Sequence, residues 1–93
     1  MTDKMEAYEQ IKDYLENDKN IRRVTINRYA MPYFLIEPDK RRSFMCYDEP
    51  LEKYLDNEGL VHILGKTFEI IYHKEENFKS LVIAIREVEK KVG

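Results

Sequence analysis

The side chains in this sequence that could do chemistry are two histidines, His62 and His73, one cysteine, Cys46, and a set of arginines interleaved with aromatic residues. The histidines belong to the stretch from Leu60 to His73. There a Gly-X pair between two β-rich runs predicts a hairpin with a type II′ turn at Gly65-Lys66. In that register Leu64 faces Thr67, Ile63 faces Phe68, His62 faces Glu69 and Val61 faces Ile70. A carboxylate across from an imidazole can ready it for proton transfer or hold it charged near neutral pH. His73 lies four residues past Glu69 on the same strand, roughly 13 Å away at ~3.3 Å per residue, so one metal ion cannot take both histidines. With no further group converging on them, a plain cross-strand polar pair is the simpler account, and no metal site is expected.

Cys46 sits between Met45 and Tyr47 with no base nearby, which suits packing as a small hydrophobe rather than nucleophilic attack. One cysteine excludes an internal disulfide and thiolate zinc clusters, in keeping with a reducing compartment. The sequence contains no Walker-type loop, Gly-x-Gly-x-x-Gly or serine elbow, and its three glycines cannot build a phosphate cradle. The chain is therefore read as non-enzymatic, with no cofactor.

The basic and aromatic stretch is the sharper signal. Arg22, Arg23, Arg28, Lys40, Arg41 and Arg42 alternate with Tyr29, Tyr33, Phe34, Phe44 and Tyr47. Net charge is −2, but it comes in blocks. Residues 1–18 carry six acids against two bases (net −4), and residues 19–47 carry seven bases against two acids (net +5). Residues 48–58 carry five acids against one base (net −4), and the remainder is +1. Tyrosine and arginine give large contact area at low entropy cost and are enriched at interface hot spots. The first expectation is thus a protein-binding domain: a homodimer, an adaptor, or a small inhibitor of a larger protein, of the kind phages and mobile elements encode. Its contact residues would be Arg28, Tyr29, Tyr33, Arg41, Arg42 and Ile83. The alternative is single-stranded nucleic acid held by the same stretch, 21–47, with phosphates on the cations and bases stacked on the rings. A tyrosine- and arginine-lined pocket for a small anion is a third reading.

These side chains need elements to position them. The segment Asp3 to Asn17 begins with a capping-box-like Asp3-x-x-Glu6, and Ala7, Tyr8, Ile11, Tyr14 and Leu15 recur at helical spacing. Strands follow at 21–29, 33–37 and 43–47. A three-residue loop at Ala30-Met31-Pro32 puts Val24, Ile26, Phe34 and Ile36 on one face, and Pro38-Asp39-Lys40-Arg41 suits a type I turn. Asp48 to Gly59 reads as a short helix with Pro50 in its first turn, a Leu51, Tyr54 and Leu55 stripe, and Gly59 closing it. After the hairpin, with Val61, Ile63, Phe68, Ile70 and Tyr72 on its core face, a helix capped by Asn77 runs from Phe78. Its stripe holds Leu81, Val82, Ala84, Ile85 and Val88, and Ile83 is left exposed on the far side.

The predicted fold is one α+β domain over 1–93, an antiparallel sheet of about five strands with helices packed on it, in the order α-β-β-β-α-β-β-α. Tyr33 to Ile36 is apolar on both faces, and such a strand needs cover on both. Helices can supply both covers, or one face can be left for a second chain or a ligand. The longest aliphatic run, Leu81 to Ile85, is far short of the ~20 residues of a bilayer span, and the first residues lack the pattern of a signal peptide, which predicts a cytoplasmic protein.

Overall fold

The structure, a computed structural model, describes residues 3–28, 31–39, 49–76 and 80–88. It consists of helix α1 (Asp3–Glu16), strands β1 (Ile21–Asn27) and β2 (Tyr33–Pro38), a 3-10 turn (Glu49–Tyr54), and strands β3 (Val61–Ile63), β4 (Lys66–Glu76) and β5 (Ser80–Glu87). The strands form one antiparallel sheet in the order β1-β2-β5-β4-β3, curled into a half-barrel. The fold is α+β as expected, with a single α-helix among the described residues rather than three.

Helix α1 follows its sequence pattern. Tyr8, Ile11 and Leu15 are buried against the sheet, each stabilising the fold by roughly 1.5–3 kcal/mol relative to exposure. The Tyr8 ring lies 5.0 Å from that of Phe34, and Phe34 meets Phe68 edge-on at 5.6 Å. Tyr14, expected in the stripe, is exposed. The helix ends where Asp18 N–H turns back to the Leu15 carbonyl (3.0 Å) and Asp18 Oδ1 accepts the Asn20 N–H (2.8 Å), a side-chain turn that competes with helix propagation.

In β1 both Ile21 and Val24 are buried although they stand three apart, because the ladder to β2 shifts register between Ile21 and Arg23. The extra residue of this bulge lets Arg22 and Arg23 both face solvent. Val24 pairs with Ile36 and Ile26 with Phe34, and all four are in the core as predicted. The loop is longer than expected: Asn27, not Tyr29, stands opposite Tyr33. A register change of two residues preserves every face assignment, whereas one residue would have inverted them.

The β3–β4 hairpin shows the same effect. Its turn is Leu64-Gly65, with φ of +49° and +82°, the type I′ pattern whose twist matches paired strands. Ile63 therefore pairs with Lys66, His62 with Thr67 and Val61 with Phe68, again two residues from the predicted register. Val61, Ile63 and Phe68 keep their place in the core. A second bulge, between Ile70 and Tyr72 against β5, inverts the remainder of β4, so Tyr72 is exposed instead of facing the core.

The largest correction is at the C-terminal side. Residues 80–87, predicted within a helix, form β5, the central strand between β2 and β4. A run of Leu, Val and Ile satisfies a helical stripe and a two-sided strand equally well. Backbone pairing on both sides decides for the strand, and Ile83, Ala84 and Ile85 are all fully buried. The predicted helix over 48–58 is a 3-10 turn that buries Leu51 and Tyr54, whose i, i+3 spacing eclipses in that tighter geometry. Leu55 then bridges to Val61, and Gly59 (φ +83°) closes the turn before β3. The expected strand at 43–47 lies outside the described residues, as do the Asn77 cap and part of the turn at 38–41.

Candidate docking face and its neighbouring side-chain arrays

Helix α1 covers one face of the sheet. On the other face a row of directly opposed residues crosses four strands: Thr25 pairs with Leu35, Leu35 with Ala84, and Ala84 with Tyr72. Thr25 is exposed, Leu35 is half-buried and Tyr72 is 41% exposed, while Ala84 between the last two is fully buried. Two residues to one side, Arg23 faces Glu37 at 3.7 Å. On the other side Asn27 donates to the Tyr33 hydroxyl (2.9 Å) and Arg86 pairs with Glu69 at 2.8 Å. An apolar centre flanked by compensated charges and amides is the arrangement of an interface core and its rim.

Of the predicted contact residues, Tyr33 lies on this face. Arg28 is exposed at the end of β1, where its guanidinium reaches Glu9 on α1 at 2.6 Å. Ile83, expected to be exposed on a helix, is fully buried on β5 and offers nothing to a partner. Tyr29, Arg41, Arg42 and Cys46 lie outside the described residues. A groove of about 360 Å³ between α1 and β1 is lined by Glu9, Lys12, Glu16, Arg23, Ile26 and Arg28, among others. Two of its three cations are matched within it, Arg28 to Glu9 and Lys12 to Glu16 (3.1 Å), the third, Arg23, faces Glu37 outside it, and no tyrosine is among its lining residues. The N–H of Val24, pointing to the open side of β1, is taken by Glu16 Oε2 at 3.0 Å.

The shifted hairpin register gives His62 different neighbours from those predicted. Glu69 pairs with Arg86, and His62 stands opposite Thr67. Its Nε2 lies 2.6 Å from Asp56 Oδ2, and its Nδ1 lies 3.3 Å from Thr67 Oγ1. Asp56 is held by its other oxygen, which accepts the N–H groups of Glu58 (2.8 Å) and Leu60 (3.0 Å). The bond with His62, then these amides, pull the Asp56 carboxyl down to about 2. Among the described residues no group of three or more His, Cys, Asp or Glu side chains is placed to hold a metal ion.

Asp18 is the one buried charge among the described residues. Its Oδ2 accepts from the Tyr54 hydroxyl (2.7 Å) and lies 3.0 Å from Lys53 Nζ. Burial alone would raise its pKa, but the Asn20 N–H, the Tyr54 hydroxyl and the Lys53 ammonium outweigh it and hold the carboxyl below its ordinary value. Under α1, Tyr8 donates to Glu87 Oε1 (2.9 Å), and burial followed by that carboxylate raises the phenol far above its usual range.

Sequence reasoning missed Tyr72, Asp56 and Thr67. Tyr72 needed the bulge, and no local pattern marks it. Asp56 carried a signal, since Asp56-Asn57-Glu58-Gly59 is a turn sequence in which Asp binds backbone two residues on. No helix among the described residues is long and apolar enough to cross a membrane. Comparison with protein-family models, curated proteins and solved structures finds no match.

Proposed function

We propose that the chain is a non-enzymatic protein-binding domain that takes its partner on the sheet face turned away from α1. The observation that supports this reading is the accessible part of that row, Leu35 and Tyr72 beside Thr25, lying between two paired polar rows, with Ala84 buried between Leu35 and Tyr72. The partner is a second copy, or a larger protein that the domain joins or inhibits, and a cytoplasmic setting fits the single cysteine. Nucleic acid is the weaker reading, because it needs cations free for phosphate. Three of the four described arginines, Arg23, Arg28 and Arg86, already face carboxylates. The same pairing argues against a small anion in the groove beside α1.

The test is affinity capture with the wild type beside Tyr72→Ala and Leu35→Arg, at low and high salt. A protein held by the wild type, lost by both variants and nearly insensitive to salt supports the proposal. Capture that ignores both substitutions, or capture of nucleic acid that falls steeply with salt, overturns it. Sedimentation of the pure chain separates the two kinds of partner, since a mass that stays near 11.3 kDa at high concentration removes the homodimer.

A further inference from the structure

At the β3 end of the sheet, Asp56, His62 and Thr67 form a carboxylate–imidazole–hydroxyl relay. The Asp56 oxygen facing the ring can only accept, since its carboxyl is ionised throughout the ordinary pH range. His62 Nε2 therefore carries the proton of that 2.6 Å bond. In the neutral ring this leaves the Nδ1 lone pair aimed at Thr67 Oγ1, 3.3 Å away. The Asp56 carboxylate is itself fixed by the Glu58 and Leu60 amides on its other oxygen, so it can hold the ring in one orientation. A hydroxyl beside a base that a third group orients is the arrangement of an activated oxygen nucleophile. Here Asp56 and Thr67 have exchanged the ring nitrogens they more commonly meet. His62 is half-exposed at the sheet surface, so a small acyl donor can approach.

We propose that Thr67 is a covalent acyl-acceptor site for activated esters and thioesters, with His62 as its base and Asp56 as the positioning residue. Thr67 Oγ1 attacks the carbonyl carbon and a new C–O bond forms as its proton passes to His62 Nδ1. The bond to the leaving oxygen or sulfur then breaks, and that atom takes the proton from His62. The product is acyl-Thr67, one per chain, so the reaction is stoichiometric modification and not turnover. It is independent of what docks on the sheet.

Thr25 supplies an internal control, because it is exposed on β1 and pairs with Leu35 rather than with an imidazole. The experiment exposes the intact chain to p-nitrophenyl acetate and measures acetylation at each threonine by peptide mass spectrometry. Thr67 is expected to react at least ~100-fold faster than Thr25, the lower range for a positioned general base. His62→Gln should bring Thr67 to the rate of Thr25. Asp56→Asn should slow it, with partial recovery in Asp56→Glu. Equal labelling of the two threonines in the wild type, or Thr67 labelling unchanged by His62→Gln, overturns the proposal.

Discussion

The hydroxyl of Tyr54 donates a 2.7 Å hydrogen bond to Asp18 Oδ2, joining the 3-10 turn to the corner between α1 and β1 across 36 residues of chain. The Tyr54 ring also stacks edge-on with Tyr14 at 6.3 Å, and the Lys53 ammonium lies 5.4 Å from its centre. Tyr54→Phe keeps the ring and removes only the donor. It should cost about 1.5–3 kcal/mol, the range for a bond to a charged acceptor. Urea unfolding reads this as a lower midpoint with an unchanged slope.

The same corner predicts an acid response. The Asp18 carboxyl titrates lower in the folded chain than in the unfolded one, so the unfolded state binds the proton first. Its stabilisation is complete above the unfolded value, roughly 3.9, and is lost as pH falls through the folded value. In Asp18→Asn the loss of stability below about pH 4 should be shallower than in the wild type, as measured by urea midpoints against pH.

Asp56 follows the same sign, with a folded value of about 2. Its hold on the Glu58 and Leu60 amides should persist at pH 4 and weaken between about pH 4 and pH 2. Asp56→Ala should release both amides at neutral pH. Hydrogen exchange at Glu58 and Leu60 reads the effect directly, and unchanged protection in the variant would contradict it.

Ile83 separates strand from helix by energy. On an exposed helix face Ile83→Ala would be nearly neutral. Fully buried on the central strand, it should cost about 2–5 kcal/mol. Thermal or urea unfolding distinguishes these outcomes without further structural work.

Leu64 occupies a left-handed conformation (φ +49°) that disfavours most side chains by roughly 1–2 kcal/mol, and its own side chain is exposed. Leu64→Asn creates the Asn-Gly pair that type I′ turns prefer and should raise the melting midpoint. Gly65→Ala, at φ +82°, should lower it. A II′ turn at Gly65-Lys66 predicts no gain from the first change.

Much of this architecture was legible from residue order alone, where the deciding contacts are local. The α1 stripe of Tyr8, Ile11 and Leu15 follows from spacing. The alternation of Val24 with Ile26, and of Phe34 with Ile36, names the core face whatever the loop length, because a two-residue slip leaves side-chain orientation intact. The same parity kept Val61, Ile63 and Phe68 in the core despite a different turn. Tertiary structure decided what two distant segments settle between them. Residues 81–85 fit either secondary structure until β2 and β4 claimed both of their edges. Tyr72 changed faces because one extra residue at Ile71 broke the alternation. The Asp18–Tyr54 bond and the Asp56–His62–Thr67 array join groups that no periodicity relates. Local sequence carries periodicity and turn chemistry, while register, bulges and long-range polar partners depend on which strands meet.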